Sequence, residues 1–219
     1  MAQQQRATET KESLIHAAAA VFGRQGYRAT TLRDITREAS VTQGALYFHF
    51  DSKRELAEEI IRRQHELSSA AGAAYLESTQ SGIESIVRLS GDLAAQILSE
   101  PVVRAGLRLS TESAEDLAGV AAAPYRDWIH ACRVLLERAS VAGETRDGLN
   151  MDAAAELVIS AFTGTQFVSA ALSGSDDLLD RLERMWPVLL AGIVRDSHHP
   201  VLSSTSYLIR QLAGSSSPA

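Results

Sequence analysis

Apolar residues along this chain recur at intervals of three and four, and the pattern changes only at a few breaks. Leu14, Ala18, Val21 and Phe22 share one helical face, Thr8 or Thr10 is placed to cap its start, and Gly26 suits the left-handed position that stops a helix. Thr31 followed by Asp34 matches a capping box and opens a short second helix with Leu32, Ile35 and Ala39 inward. Ser40 and Val41 form a break, Thr42 caps a third helix predicted to reach about Phe50, and Ser52 with Glu55 makes another capping box. That box begins a longer helix with Leu56, Ile60 and Leu67 on its inner side.

Further along, Gly82, Pro101, Pro124, Gly143, Gly148 and Gly174 separate amphipathic stretches near 83–98, 102–119, 124–141, 151–173 and 176–195. Pro124 fits the first turn of its helix, whereas Pro187 falls mid-helix and predicts a kink near 183–186. No stretch alternates as a strand would. After His198-His199-Pro200 the composition turns to serine, so 198–219 reads as a partly disordered tail with at most one short helix at 207–212. The two histidines have no further ligand at metal-site spacing, so no metal or cofactor is expected.

Composition narrows the class. With 219 residues, 45% of them hydrophobic and 22% charged, the chain can build a core without a disulfide or metal staple. The single cysteine, Cys132, excludes a disulfide framework and reads as a small buried hydrophobe. No apolar stretch approaches the roughly 18 residues of a membrane span, and the polar start MAQQQRATETKE has no signal segment. The expectation is a soluble, cytoplasmic protein. The net charge of −6 hides an asymmetry, because residues 1–54 carry eight basic side chains against five acidic ones. An anionic partner would therefore meet the first quarter of the chain.

The two short helices around the break at Ser40 have the dimensions of a helix-turn-helix, whose second helix lies in a DNA major groove. Helical phase puts Leu46 and Phe50 on one side of it, and Gln43 and Tyr47 on another, flanked by Gly44 and Phe48. Gln43 can pair bidentately with an adenine edge, Gly44 and Ala45 allow close approach, and Ala45 or Phe48 can touch a thymine methyl. Tyr47, His49, Lys53 and the Thr31 and Thr42 hydroxyls are candidate phosphate ligands. No nucleophile elbow, phosphate loop or paired carboxylates points to an enzyme.

Residues 10–60 resemble the DNA-binding domain of the TetR family of transcriptional regulators. The resemblance rests on the run Ala17 to Phe22, Gly26-Tyr27, Thr31 with Ile35, and then Gly44, Leu46, Tyr47, His49, Phe50, Lys53 and Leu56. Within the family, GALYFHFDSKRELA and the later Pro124-Tyr125-Arg126-Asp127-Trp128 are similar to the γ-butyrolactone autoregulator receptors of actinomycetes. The resemblance implies an all-α protein with an N-terminal three-helix helix-turn-helix domain and arm over 1–54, and a helical ligand-binding and dimerisation domain over 55–197. It implies base contacts from Gln43, Gly44, Ala45 and Phe48, phosphate contacts from Thr31, Thr42, Tyr47, His49 and Lys53, and an N-terminal arm carrying Arg6 to the DNA. The chain departs from the family at Ser40, often Gly, and at Gln43, often Lys in these receptors.

Trp128 shares a helical face with Cys132, Leu135 and Leu136 and so points inward; similar receptors place a tryptophan from this segment in the ligand pocket. Gln64 and Thr163, polar on apolar faces, become candidate partners for lactone oxygens. The stretches 152–172 and 176–194 would pair with their copies in a homodimer matched to a palindromic operator. The function implied is a repressor released from double-stranded DNA by a small amphipathic effector, a γ-butyrolactone acting on antibiotic or secondary-metabolite genes. A furan, a butenolide, an antibiotic or a biosynthetic intermediate is the alternative effector.

Overall fold

The computed structural model describes residues 1–113, 115–195 and 200–210. They form α1 (Ala2–Ala29), α2 (Leu32–Glu38), α3 (Gln43–Tyr47), α4 (Lys53–Glu77), α5 (Gly82–Ser99), α6 (Pro101–Glu112), α7 (Ala123–Val141), α8 (Met151–Ser173), α9 (Leu178–Ile193) and α10 (Pro200–Arg210). The fold is all-α, with one isolated bridge between Thr145 and Val194 among the described residues. Packing divides the chain into two compact units, Met1–Leu67 with Ser99–Pro124 and Ser68–Leu98 with Tyr125–Ala219. The first unit thus recruits α6 from later in the chain, and its packing does not stop at residue 54.

In the first unit α1 packs against α2, α3 and α6, and α2 packs against α3. Its core joins Leu14, Phe22, Ile35, Leu46, Leu56, Ile60, Leu109 and Leu117, all buried. Each such side chain contributes about 1.5–3 kcal/mol through loss of apolar surface to water, which is what lets helices as short as α2 and α3 persist. The expected caps divide into two groups. Thr31 and Asp34 form the full capping box. Ser52 Oγ accepts from the Glu55 N–H at 3.1 Å, but the Glu55 carboxylate accepts from the Asp51 N–H at 2.6 Å, one residue beyond the usual partner. Thr8 and Thr10 cap nothing. Because α1 begins at Ala2, they lie inside it and their hydroxyls donate back to Gln4 O and Arg6 O. The arm expected around Arg6 is therefore helical.

The second unit is built around Trp186, whose indole N–H donates to Ser90 Oγ at 2.7 Å while Ser90 donates to Val87 O. Glu144 accepts from Ser81 Oγ and the Ile83 N–H at the start of α5, and the Arg138 guanidinium donates to Tyr75 O at the end of α4. Within this unit α8 packs on α9 and α9 on α10. α9 runs as one helix with Pro187 inside it.

Three expectations are corrected. The helix expected over 102–119 ends at Glu112, because the following residues turn so that Leu117 can enter the core of the first unit. The serine-rich 200–210 is not tail but α10, which buries Val201, Thr205, Leu208 and Ile209. It docks on Gly91, where a Cβ would lie 2.5 Å from Ile209 O, and Arg210 pairs with Asp180 and Glu183. The helix was missed because Ser204 and Thr205 satisfy their hydroxyls on the preceding turn and so cost the helix little. His198 and His199 lie outside the described residues. Finally, α8 is long and apolar enough by length and composition to cross a membrane, contrary to the reading from sequence. Asp152 and Glu156 are its only charges, and large side chains such as Leu157 and Leu172 stay exposed on it.

Ser40 sits in the turn between α2 and α3 with φ 55°, a left-handed conformation that costs a non-glycine residue about 1–2 kcal/mol. Ser40→Gly is expected to raise stability by up to about 1 kcal/mol after the extra chain entropy of glycine is set against that strain. A higher urea midpoint with unchanged slope is the measurement that checks it.

Candidate nucleic-acid interface

α3 is shorter than its pattern suggested, ending at Tyr47 with Phe48 as its C-cap. Helical phase nevertheless continues for one turn, because the Phe50 N–H bonds to Leu46 O at 2.9 Å. Leu46 and Phe50 are consequently buried side by side at 0% and 3% exposure. The opposite side is left outward: Gln43 and Gly44 are exposed, Tyr47 is 55% exposed and Phe48 77%. His49 is half-buried and meets the Phe48 ring edge-on, with centroids 5.0 Å apart. Ala45 is half-buried beneath Gln43 and Gly44, and its N–H donates to Thr42 Oγ1 at 3.2 Å, fixing the first turn.

The candidate phosphate ligands differ in what remains available to them. Thr42 is exposed and uses its hydroxyl only as an acceptor in the cap, so its proton is uncommitted among the described residues. The Thr31 hydroxyl is already engaged: it donates to Asp34 Oδ2 at 2.6 Å and accepts from the Asp34 N–H at 3.2 Å. That same bond holds the Asp34 carboxyl below its ordinary value. Lys53 Nζ donates to Tyr27 O and Thr30 O, each at 2.9 Å, and lies 4.4 Å from the centre of the Tyr27 ring. One of its three ammonium donors is left.

Arg6 is exposed on α1. Arg33, which sequence reasoning did not single out, is exposed near the start of α2 and has no ion pair among the described residues. The residues three and four places further along its helix, Thr36 and Arg37, offer no carboxylate, and that is legible in the sequence. The other arginines nearby are occupied, Arg24 with Glu38, Arg28 with Asp116, Arg37 with Asp34 and Arg54 with Glu58.

The candidate effector residues fall in different units. Gln64 is fully buried in the first unit, packed where a Cβ on Gly106 would stand 2.4 Å from its own Cβ. Trp128 and Thr163 belong to the second unit, and Tyr125 links them. The Tyr125 ring meets the Trp128 indole edge-on at 5.0 Å, and Thr163 lies close enough to its phenol to influence it. Burial raises the Tyr125 phenol, and Thr163 opposes this. Tyr125 was missed as a site residue, although its position three before Trp128 puts both rings on one side of α7. Cys132, one turn further on, has its thiol pushed up to about 12 by burial and is a packing residue without thiolate chemistry at neutral pH.

A helix-turn-helix with a clamped inner face and an outward face of glutamine, glycine and aromatic residues, set in an all-helical chain, defines a DNA-binding regulator. Residues 14–60 match the family of bacterial regulatory proteins of the tetR type, and residues 80–195 match a tetracyclin repressor-like C-terminal domain. The chain belongs to the TetR family, whose members are transcriptional regulators and not enzymes.

It is 36% identical over 193 residues to the A-factor receptor protein of Streptomyces griseus, covering 88% of this chain and 67% of that one. A solved γ-butyrolactone receptor described as ArpA-like superposes with a TM-score of 0.80 at 31% identity, over 94% of this chain and 99% of that one. CprB of Streptomyces coelicolor, solved with its biological operator sequence, gives a TM-score of 0.78 at 29% identity, over 96% and 100% of the two chains.

Because Lys53 serves two backbone carbonyls at the end of α1, its removal should be felt without DNA. Lys53→Ala is expected to lower stability by about 1–3 kcal/mol, the cost of two carbonyls losing a charged donor. Urea unfolding of the two proteins compared side by side checks it.

Proposed function

We propose that this chain is a cytoplasmic, dimeric repressor that leaves a palindromic operator when a γ-butyrolactone-type effector binds its second unit, so controlling antibiotic or secondary-metabolite genes. The observation that carries the DNA half is the division of α3. A soluble protein gains nothing by leaving Phe48 and Tyr47 in water beside Gln43, whereas a groove offers these side chains thymine methyls, phosphates and an adenine edge. Gln43, Gly44, Ala45 and Phe48 read bases in this proposal. Thr42, Tyr47, His49, Arg6, Arg33 and the remaining donor of Lys53 hold phosphates, and Thr31 contributes through the cap it makes. DNA binding is assigned to residues 1–54 and effector binding with dimerisation to the helices beyond.

The effector half is supported by Trp128, Tyr125 and Thr163, which bring two aromatic rings and two hydroxyl-bearing side chains, counting that of Tyr125, into one place, as an alkyl-substituted lactone requires. Exposed Leu157, Val168 and Leu172 on α8 and Val188 on α9 support a two-fold contact between copies. Release then needs only that the effector bind more tightly to the conformation whose recognition helices are wrongly spaced for successive grooves.

The test is enrichment of bound duplexes from the DNA upstream of the protein's own gene and from a random library, followed by titration with γ-butyrolactones, furans and butenolides. A two-fold-symmetric duplex released by the lactones supports the proposal. Absence of any enriched duplex overturns it, and release by the furans or butenolides alone replaces the effector class.

Gln43→Ala is expected to relax preference at one position of each half-site by about 1–3 kcal/mol while leaving non-specific binding in place. Uniform weakening over all sequences would make Gln43 a positioning contact. Trp128→Ala is expected to leave operator affinity unchanged and raise the effector concentration for half-release by about tenfold or more.

A further inference from the structure

The segment 115–122, between α6 and α7, behaves in the structure as part of the first unit although it stands some sixty to ninety residues later in sequence than Arg54 and Arg28, which it meets. Leu117 is fully buried and Ala121 is 4% exposed, both in the core that also holds Phe22, Leu46 and Phe50. Val120 packs against the same core. Two arginines from different helices grip the segment beside that peg. Arg28, at the end of α1, donates through Nε to Asp116 Oδ2 at 2.8 Å. Arg54, at the start of α4, donates to Asp116 O at 3.0 Å and to Ala118 O at 3.5 Å. The segment holds its own shape through Leu117 N–H to Ser113 O at 2.9 Å and Val120 N–H to Leu117 O at 3.2 Å.

We propose that Asp116 and Leu117 are positioning residues for DNA binding: they latch the helix-turn-helix to the part of the chain that leads directly into α7. Leu117 supplies the hold, since an exposed ion pair is worth little by itself. Arg28 and Arg54 set its register, because α1 and α4 must be correctly placed relative to each other for both to reach the same peptide. The backbone then has only a short way to run: α7 begins at Ala123, and Tyr125 and Trp128 lie on its first turns. The ends of α1 and α4, next to Tyr27 and Lys53, are thereby tied to the residues that immediately precede α7. The part played by Tyr125 and Trp128 rests on the function proposed above; the positioning role of Asp116 and Leu117 does not need an effector.

The test uses the full-length chain and the duplex that the wild-type protein enriches from a random library, together with a single half-site cut from it. Asp116→Arg sets like charges against Arg28 and Arg54 without touching the reading face of α3. Leu117→Ala removes the peg. Asp116→Arg is expected to weaken binding to the two-half-site duplex by about tenfold or more with half-site binding and the helical circular dichroism unchanged, and Leu117→Ala, which also opens the core behind α3, to weaken the two-half-site duplex at least about tenfold more than the half-site. The exchanged pair Arg28→Asp with Asp116→Arg is expected to recover most of the loss.

Equal weakening on both duplexes would mean that the segment merely stabilises the domain, and it would overturn the proposal, as would unchanged binding in both variants. Failure of the wild-type protein to enrich any duplex is a different result. It removes the function proposed above, and the positioning role falls with it.

Discussion

Burial of Leu46 and Phe50 is the constraint on which the reading face depends. A five-residue helix has no stability of its own, so α3 exists only because these two side chains are held in a core contributed by α1, α2, α4, α6 and Leu117. Once they point inward, helical phase leaves Gln43, Gly44, Tyr47 and Phe48 no choice but to point outward. The chemistry of the interface is thus set by packing on its far side. The same constraint accounts for the early end of α3. After Tyr47 the chain needs only one more turn to bring Phe50 down, and the cap at Ser52 then starts α4 in a new direction.

Charge plays a quieter part than the basic first quarter suggested. Of the eight basic residues in 1–54, Arg24, Arg28, Arg37 and Arg54 are paired with carboxylates, Lys53 is spent largely on carbonyls, and Lys11 lies 5.6 Å from the centre of the Phe50 ring. Arg6 and Arg33 are left. Exposed pairs contribute about 0–1 kcal/mol each, so Arg24 and Arg37 can exchange a carboxylate for a phosphate at little cost. Lys53 cannot do so without stranding Tyr27 O and Thr30 O. In the proposed complex electrostatic attraction to DNA is consequently modest, and neutral donors such as Thr42, Tyr47 and backbone N–H groups would carry much of the positioning.

Local rules were readable where one element carries its own signal. Thr31 with Asp34, Thr42 before Ala45, and the phase of Leu46 against Tyr47 are all relations within four residues, and each stands as the pattern implied. The failures are of another kind. α10 reads as tail in the sequence because serines lower helix propensity, and nothing local announces that Gly91, more than a hundred residues earlier, leaves room for Ile209. The stretch after Glu112 looked helical because Leu117 falls at the right spacing, while the core that claims it belongs to helices from the opposite end of the chain. α8 was passed over as a long apolar segment because Asp152 and Glu156 punctuate its start. At the candidate effector site, Trp128 and Thr163 were both named, but Tyr125 between them was not; a contact of α7 with α8 residues is a tertiary fact that helical spacing on one element does not reveal.

These long-range relations also set what surrounds each point where the chain leaves or re-enters the first unit. The backbone does so three times, at Leu67, Ser99 and Pro124. The first passage lies inside α4, a continuous helix from Lys53 to Glu77. The second is the break between α5 and α6, where Glu100 is extended and Pro101 opens the next helix. The third enters α7 directly from the segment that carries Asp116, Leu117 and Ala121. A stiff passage and a gripped one meet at Arg54, which stands on the first turn of α4 and donates to Asp116 O. Within the first unit the start of α4 and the residues after α6 are therefore placed together: a shift of one without the other breaks the Arg54 contacts or withdraws Leu117 from the core, and close packing gives neither change a cheap intermediate.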